Sequence, residues 1–491
     1  MEAIISAVTG EIVSRFISFL MNRYHSSGHA QSEEKMVERL QHLLMRVGTV
    51  IEEADTRYIA NSGMMMQLKM LSDAMYGGYG ELDTLRYRTL QVGAGFDEVS
   101  ISDSSSSLHL AIPLKRSRKI TDKDEEKGMR PESHGALEIL EIAVANMAEF
   151  VVFLGGCEPM SRRPYDVYLY TDNFMFSRHS EKQRLLSFLL QHNDPPADYA
   201  PAVLPIIGGT SVGKKTLVAH ACGDERVRSR FSSVLHLNGD NLMRIDQEMT
   251  KFGMMLVVIE FASDVGDDEW KKFHSFVIRM GRGSKIIIIS RLWQLARFGS
   301  VKPIFLSILS YDELRYLFKT LVFRSVDPAE HPRLAQIADE FSKVLLDMKG
   351  SLVSTNTFAD VLRRNFDVQF WRCILDKVLR MVKRNISMYG MPPTMLVQQG
   401  QPVEITDLAM HPLIMTRYTT NVSMKEKLPS VTLGELITDP SVRPKGDFNM
   451  ITWESRIAPY NSFFNFVVSH AQGTHEGGNA LPGRKRRGVP I

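Results

Sequence analysis

Apolar residues recur every three or four positions through the first part of the chain. Ile4, Ile5, Val8, Ile12, Val13, Phe16, Ile17, Phe19 and Leu20 define one such segment. Met36, Leu40, Leu43, Leu44, Val47 and Ile51 share one face of a second, running from about Glu33 to Ala60, and a third runs from Met64 to about Tyr87. Side chains at this spacing stack on one side of a helix. The pattern therefore predicts three helices over residues 1–92, with Asn61-Ser62-Gly63 supplying turn and capping chemistry. Long helices with short connections predict an antiparallel bundle. The Leu40, Leu43, Leu44 and Val47 face is apolar enough to serve a partner helix as well as a bundle core.

The period then changes. Residues 93–131 hold a serine cluster (Ser102, Ser104 to Ser107) and a basic run (Lys115, Arg116, Arg118, Lys119). Too few apolar side chains are present there to offset chain ordering, which predicts a linker through 93–165 with one apolar helix near 134–154. That helix either completes the bundle or docks on the next domain. From 166 to 325, short β-rich runs at 202–207, 233–237, 255–259 and 285–290 alternate with helical ones, the signature of an α/β domain with a parallel sheet. Helical periodicity returns over 326–395. The remainder, 396–491, is proline-bearing and without period, and is expected to be irregular. The fold class expected is thus multidomain: helical bundle, P-loop α/β domain, helical subdomain and irregular tail.

The strongest chemical signal lies at the first strand of the α/β region. Ala202-Val-Leu-Pro-Ile-Ile enters Gly208, Gly209, Thr210, Ser211, Val212, Gly213, Lys214, Lys215 and Thr216, which match G-x-x-x-x-G-K. Such a loop turns backbone amides toward phosphate oxygens and ends at a positive helix N-terminus. The position after the lysine ordinarily carries a hydroxyl that holds Mg²⁺. Here it is Lys215, whose ammonium cannot ligate a cation. Thr216 sits about 100° further round the helix. Glu260 ends the run Met254-Met-Leu-Val-Val-Ile, where a metal-orienting carboxylate belongs, and Phe261 stands where a second carboxylate would activate water. The phosphate cradle is expected to persist, with no catalytic residue and no resident metal.

Composition adds limits. The chain has 491 residues, 44% hydrophobic and 23% charged, with net charge +3. That balance gives no global field for nucleic acid. The three cysteines, Cys157, Cys222 and Cys373, are scattered, without disulfide or metal spacing. No signal peptide or transmembrane run is expected. A cytoplasmic location follows, with nuclear import through Arg484-Lys485-Arg486-Arg487 as the alternative.

Five stretches in order resemble the NB-ARC module of plant nucleotide-binding leucine-rich-repeat immune receptors of the coiled-coil class. They are Phe174-Met-Phe-Ser-Arg178, with Ser177 where the family has glycine; the loop 208–217; Phe231 with 234–237; Gly283-Ser-Lys-Ile-Ile-Ile-Ile-Ser-Arg291; and Leu309-Ser-Tyr-Asp-Glu-Leu-Arg-Tyr-Leu-Phe318. The resemblance implies that Arg291 senses the nucleotide's outer phosphate. Leu68 to Asp73 and Tyr79 to Asp83 lie where the family's N-terminal domains carry their acidic motifs. The segment Gly350-Ser-Leu-Val-Ser354 stands where the family has G-L-P-L-A, without its proline, and leucine-rich repeats are absent. The resemblance implies an ADP- or ATP-binding defence switch or helper that meets protein partners, a full receptor or its own copy, through the N-terminal helices. A nucleotide-free scaffold and an active ATPase are the alternatives.

Overall fold

The computed structural model describes residues 30–55, 57–93, 131–158, 176–191, 200–239, 253–278, 283–324, 326–409, 411–417, 428–439, 441–442, 446–454 and 463–470. The segment around residues 4–20, the serine cluster and both basic runs lie outside them.

Three helices, α1 (Ala30–Asp55), α2 (Ser62–Gly93) and α3 (Pro131–Gly155), share one core. Leu40, Leu44, Val47 and Ile51 of α1 meet Leu68, Leu71, Leu82 and Leu85 of α2 and Leu140, Val144, Met147, Phe150 and Leu154 of α3. Of the two placements open to the apolar helix near 134–154, the structure takes the first: α3 completes the bundle. Leu40, Leu44 and Val47 are buried in that core and Leu43 is partly buried against it, so this face is not available to a partner helix. The expectation of a double role for it is corrected: a bundle of three helices needs the whole stripe.

Next come α4 (His179–Leu190), β1 (Ala202–Gly208), α5 (Lys214–Cys222), α6 (Glu225–Arg230), β2 (Ser233–Asn238), β3 (Met255–Phe261), α7 (Asp267–Ile278), β4 (Lys285–Ser290) and β5 (Ile304–Leu306). The five strands form one sheet in the order β2-β3-β4-β1-β5, every neighbouring pair parallel. Both faces are covered, so the strands read as continuous apolar runs. Ile287 and Ile289 of β4 enter a core with Leu185, Leu217 and Val218, while Ile286 and Ile288 enter the opposite one with Trp270, Phe273 and Val277.

The chain continues through α8 (Tyr311–Phe323), α9 (Pro332–Asp347), α10 (Leu352–Arg363), α11 (Val368–Tyr389) and α12 (Pro393–Gln398). Ser310 and Glu313 form a capping box that starts α8. Beyond 396 the structure corrects the expected irregularity. β6 (Val403–Glu404), α13 (Thr406–Ala409), β7 (Leu413–Arg417), β8 (Ser430–Thr432), α14 (Leu433–Thr438), β9 (Phe448–Glu454) and β10 (Phe463–His470) build a second sheet in the order β6-β7-β10-β9-β8. Three of its strands, β6, β7 and β8, have only two to five residues, too few to leave a period in the sequence. Phe448, Met450, Phe466 and Val468 pack with Phe358, Leu362 and Trp371, so helices α8 to α12 and this sheet share one core. That core begins at Leu309, so α8 belongs with the helices that follow it and not with the parallel sheet.

The bundle is fastened to the rest at two places. At one, Gln183 of α4 is fully buried, donates to Arg57 O (2.9 Å) and accepts from Ile59 N (3.2 Å), while His179 meets Asp55 at 2.7 Å. At the other, Arg315 of α8 forks onto Asp339 (2.6 and 2.9 Å) and donates to Gly80 O (2.9 Å), and Lys319 bridges Asp83 (3.1 Å) and Asp339 (2.7 Å). Tyr76, Phe176 and Tyr316 stack beside this network. Asp83, from the acidic stretch flagged in the sequence, is therefore a docking residue. No helix among the described residues is long and apolar enough to cross a membrane.

Candidate nucleotide site

The site lies at the carboxyl edge of the parallel sheet, where open α/β sheets bind ligands. β4 sits between β1 and β3. The loop leaving β1, Glu260 of β3 and Arg291 just after β4 therefore emerge side by side, with Glu260 level with Ile289 and Ile207 level with Ser290. Three segments distant in sequence are brought to one edge by strand order alone.

Each loop residue has a physical role. Gly208 is required by contact, since a Cβ there would lie 2.6 Å from Leu306 O of β5. Gly213 precedes α5 at φ +92°, a left-handed conformation that glycine adopts without cost. Ser211 takes φ +58°. Val212 is buried and anchors the loop in the core. Gly209 and Thr210 form its outer turn. No side chain caps α5, so its N-terminal amides are left to a ligand or solvent.

Lys214 curls back over the loop, its Nζ donating to Gly208 O (2.8 Å) and Gly209 O (2.5 Å). Burial pushes its pKa down to about 8; Glu260 opposes that shift, and the neighbouring charges of Lys215 and Arg291 reinforce it. Lys214 is therefore within electrostatic reach of Glu260, Lys215 and Arg291. Lys215 Nζ lies 2.6 Å from Glu260 Oε2. Thr216 is half-buried one position further along α5, and Arg291 is exposed.

Phe261 does not face this site. The strand alternates, so Glu260 points to the loop while Phe261 enters the opposite core, 3% exposed and 6.5 Å from the Trp270 ring centroid. A carboxylate at 261 would thus be buried in the sheet's core and not aimed at a phosphate, which corrects the expectation that this position only lacks its acid.

Two contacts were not foreseen from the sequence. Leu352, at the proline position of the 350–354 stretch, donates its N–H to Ser211 O at 3.1 Å. A proline there has no N–H to give; leucine ties the head of α10 to the phosphate loop. Ser177 adopts φ +60°, the conformation for which glycine is suited, and its hydroxyl donates to Glu313. The adjacent Arg178 donates to Ser307 O at 2.5 Å, closing this entry segment onto the end of β5. The Lys215–Glu260 pair had one signal in the sequence: the two departures from the motif carry opposite charge.

No family model matches the chain. Over 411 residues it is 22% identical to disease resistance RPP13-like protein 1 of Arabidopsis thaliana, a match that takes in 76% of this chain and 37% of that protein. The chain thus spans a little over a third of that relative's length. Similar solved structures include a Thermotoga maritima RuvB mutant (TM-score 0.29, 13% identity, 48% of this chain and 86% of that one). Another is Drosophila ORC bound to DNA (TM-score 0.25, 10% identity, 60% and 92%). In sequence the chain is similar to a disease resistance protein, and its α/β unit has the strand, loop and helix of a P-loop nucleotide-binding fold.

Proposed function

We propose that this chain binds an adenine nucleotide, ADP foremost, on the loop 208–216, and that occupancy regulates its part in plant defence without appreciable hydrolysis. The observation that carries the proposal is the convergence of Lys214, Lys215 and Arg291 on an uncapped helix N-terminus at the sheet's carboxyl edge. Three cations and open amides fit a polyphosphate and little else. The defence role is supported by similarity to a disease resistance protein. Low hydrolysis is supported by Lys215 in the metal-holding position and by the burial of Phe261, since phosphoryl transfer depends almost wholly on positioned charge. Occupancy acts on protein partners through the N-terminal bundle, whose α3 keeps Ile139, Ile142, Val152 and Phe153 exposed.

A second proposal is a scaffold that takes no nucleotide. It is favoured by one observation: Lys214 and Lys215 already have partners within the chain. Calorimetric titration with ADP separates the two. Under the first proposal Lys214→Ala binds about ten- to a hundredfold more weakly than the unmodified protein, the value of a charge-assisted contact. Wild-type affinity falls as pH rises past about 8, because the empty site then holds Lys214 uncharged and the anion must recharge it. No binding by either leaves the scaffold, and equal affinity in wild type and variant removes the loop 208–216 from the nucleotide's site.

A further inference from the structure

We propose that Lys215 and Glu260 stand in for the divalent cation of this site, so that the chain takes a nucleoside diphosphate without metal, Lys215 leaving Glu260 for the phosphate. The inference rests on the nucleotide-binding proposal above. P-loop folds ordinarily hold Mg²⁺ between a hydroxyl after the loop lysine and a carboxylate at a neighbouring strand end. The residues here do not fit that ion. An ammonium has three donors and no acceptor, so Lys215 cannot be a ligand. Its Nζ lies 2.6 Å from Glu260 Oε2, on the carboxylate that a metal would need. A divalent ion would have to expel that ammonium and then sit among the charges of Lys214, Lys215 and Arg291.

The same pair suits an exchange. The Lys215 side chain is 36% exposed and that of Glu260 44%, and an ion pair this open to water is weak. A phosphate oxygen arriving at the loop offers a stronger charge to an ammonium on a flexible four-carbon stem. Three cations against one carboxylate leave two net positive charges, nearer to the charge of a diphosphate than to that of a triphosphate. Glu260 then keeps Lys215 from drifting when the site is empty. The two departures from the motif are one compensated change: a mobile, chemically tethered cation in place of an ion drawn from solution.

The test is ADP titration of the full chain in EDTA and in excess Mg²⁺, with circular-dichroism melts to verify folding of each variant. The unmodified protein is expected to bind equally in both, within about twofold, since no metal enters. Lys215→Thr should lose about tenfold in EDTA and regain it with Mg²⁺, because Glu260 is released and a hydroxyl is present. Glu260→Gln removes the carboxylate that holds Lys215 away from the phosphate: it should bind ADP at least as tightly as wild type in EDTA and stay indifferent to Mg²⁺. This variant keeps the question decidable if Lys215→Thr fails to fold. Wild-type affinity that rises about tenfold or more with Mg²⁺ overturns the inference and leaves nucleotide binding standing. Absence of ADP binding in both buffers removes the nucleotide proposal, and this inference with it.

Discussion

At the scale of single residues, the site depends on which way a side chain points from a strand. Phe261 and Glu260 are neighbours, yet one packs on Trp270 and the other meets Lys215. Gly239 lies against the Phe261 ring, so closely that a Cβ there would sit 2.3 Å from it. Restoring a carboxylate by Phe261→Asp would therefore place an unpaired charge in a packed core. We expect a loss of about 3–5 kcal/mol or more, from the emptied ring volume and the buried acid together. Urea unfolding measures it; an unchanged midpoint would show that position 261 faces solvent. The motif segments also resolve into plain physical requirements. Gly208 clears a neighbouring strand, Gly213 takes a left-handed turn, and the Leu-Ser-x-Asp-Glu stretch is a capping box that starts α8.

Between elements, the contact of α1 with α4 is titratable. Burial, the largest single influence on His179, disfavours its charge, but the Asp55 carboxylate outweighs it by charge and by a 2.7 Å hydrogen bond. Lys182 opposes and Glu181 assists, and the net result is a raised pKa. A histidine raised on folding adds stability that is complete below its ordinary value of 6.5 and is lost as pH rises through the folded value. Thermal stability should thus decline as pH rises above about 6.5, and His179→Gln should flatten that decline. Amide exchange at Ile59, which donates to Gln183 across the same junction, reports whether the loosening is local. A pH profile identical in wild type and variant would assign the dependence to other groups. The second junction, Arg315 and Lys319 with Asp83 and Asp339, carries no histidine.

At the scale of the whole molecule, the C-terminal sheet shares one core with helices α8 to α12 and is not an appendage. Phe448 is fully buried in the core that also holds Phe358 and Leu362 of α10, and Thr357 donates to Thr452 O of β9 at 2.9 Å. The head of α10 bonds to the phosphate loop through Leu352. Phe448→Ala should cost about 3–5 kcal/mol. It should also speed amide exchange along α10, a helix that contains no mutated residue. Exchange confined to β9 and β10 would mean that the sheet has a core of its own. Second sheet, α10 and the loop 208–216 are thus joined through one core and one backbone hydrogen bond.

Much of this was legible in the sequence. Helical and strand periods gave α1, α2 and the parallel sheet, because burial of one face or of both imprints a repeat on the chain. The loop 208–216 was legible because a phosphate cradle needs glycine at fixed spacing, next to a lysine and a helix start. The second sheet was not, since three of its five strands, β6, β7 and β8, have two to five residues and carry too few alternations to register. Nor was the direction of Phe261 or the Leu352 contact, which depend on neighbours remote along the chain. Sequence by itself determined the first two bundle helices, the strands of the parallel sheet and the strand, glycine loop and helix over 202–222, all local properties of residue type and spacing. Tertiary structure alone decided that Lys215 would meet Glu260, that α3 would close the bundle, and that the last strands would share a core with α10. Those outcomes depend on which surfaces meet in space, and packing settles that only when the whole chain is folded.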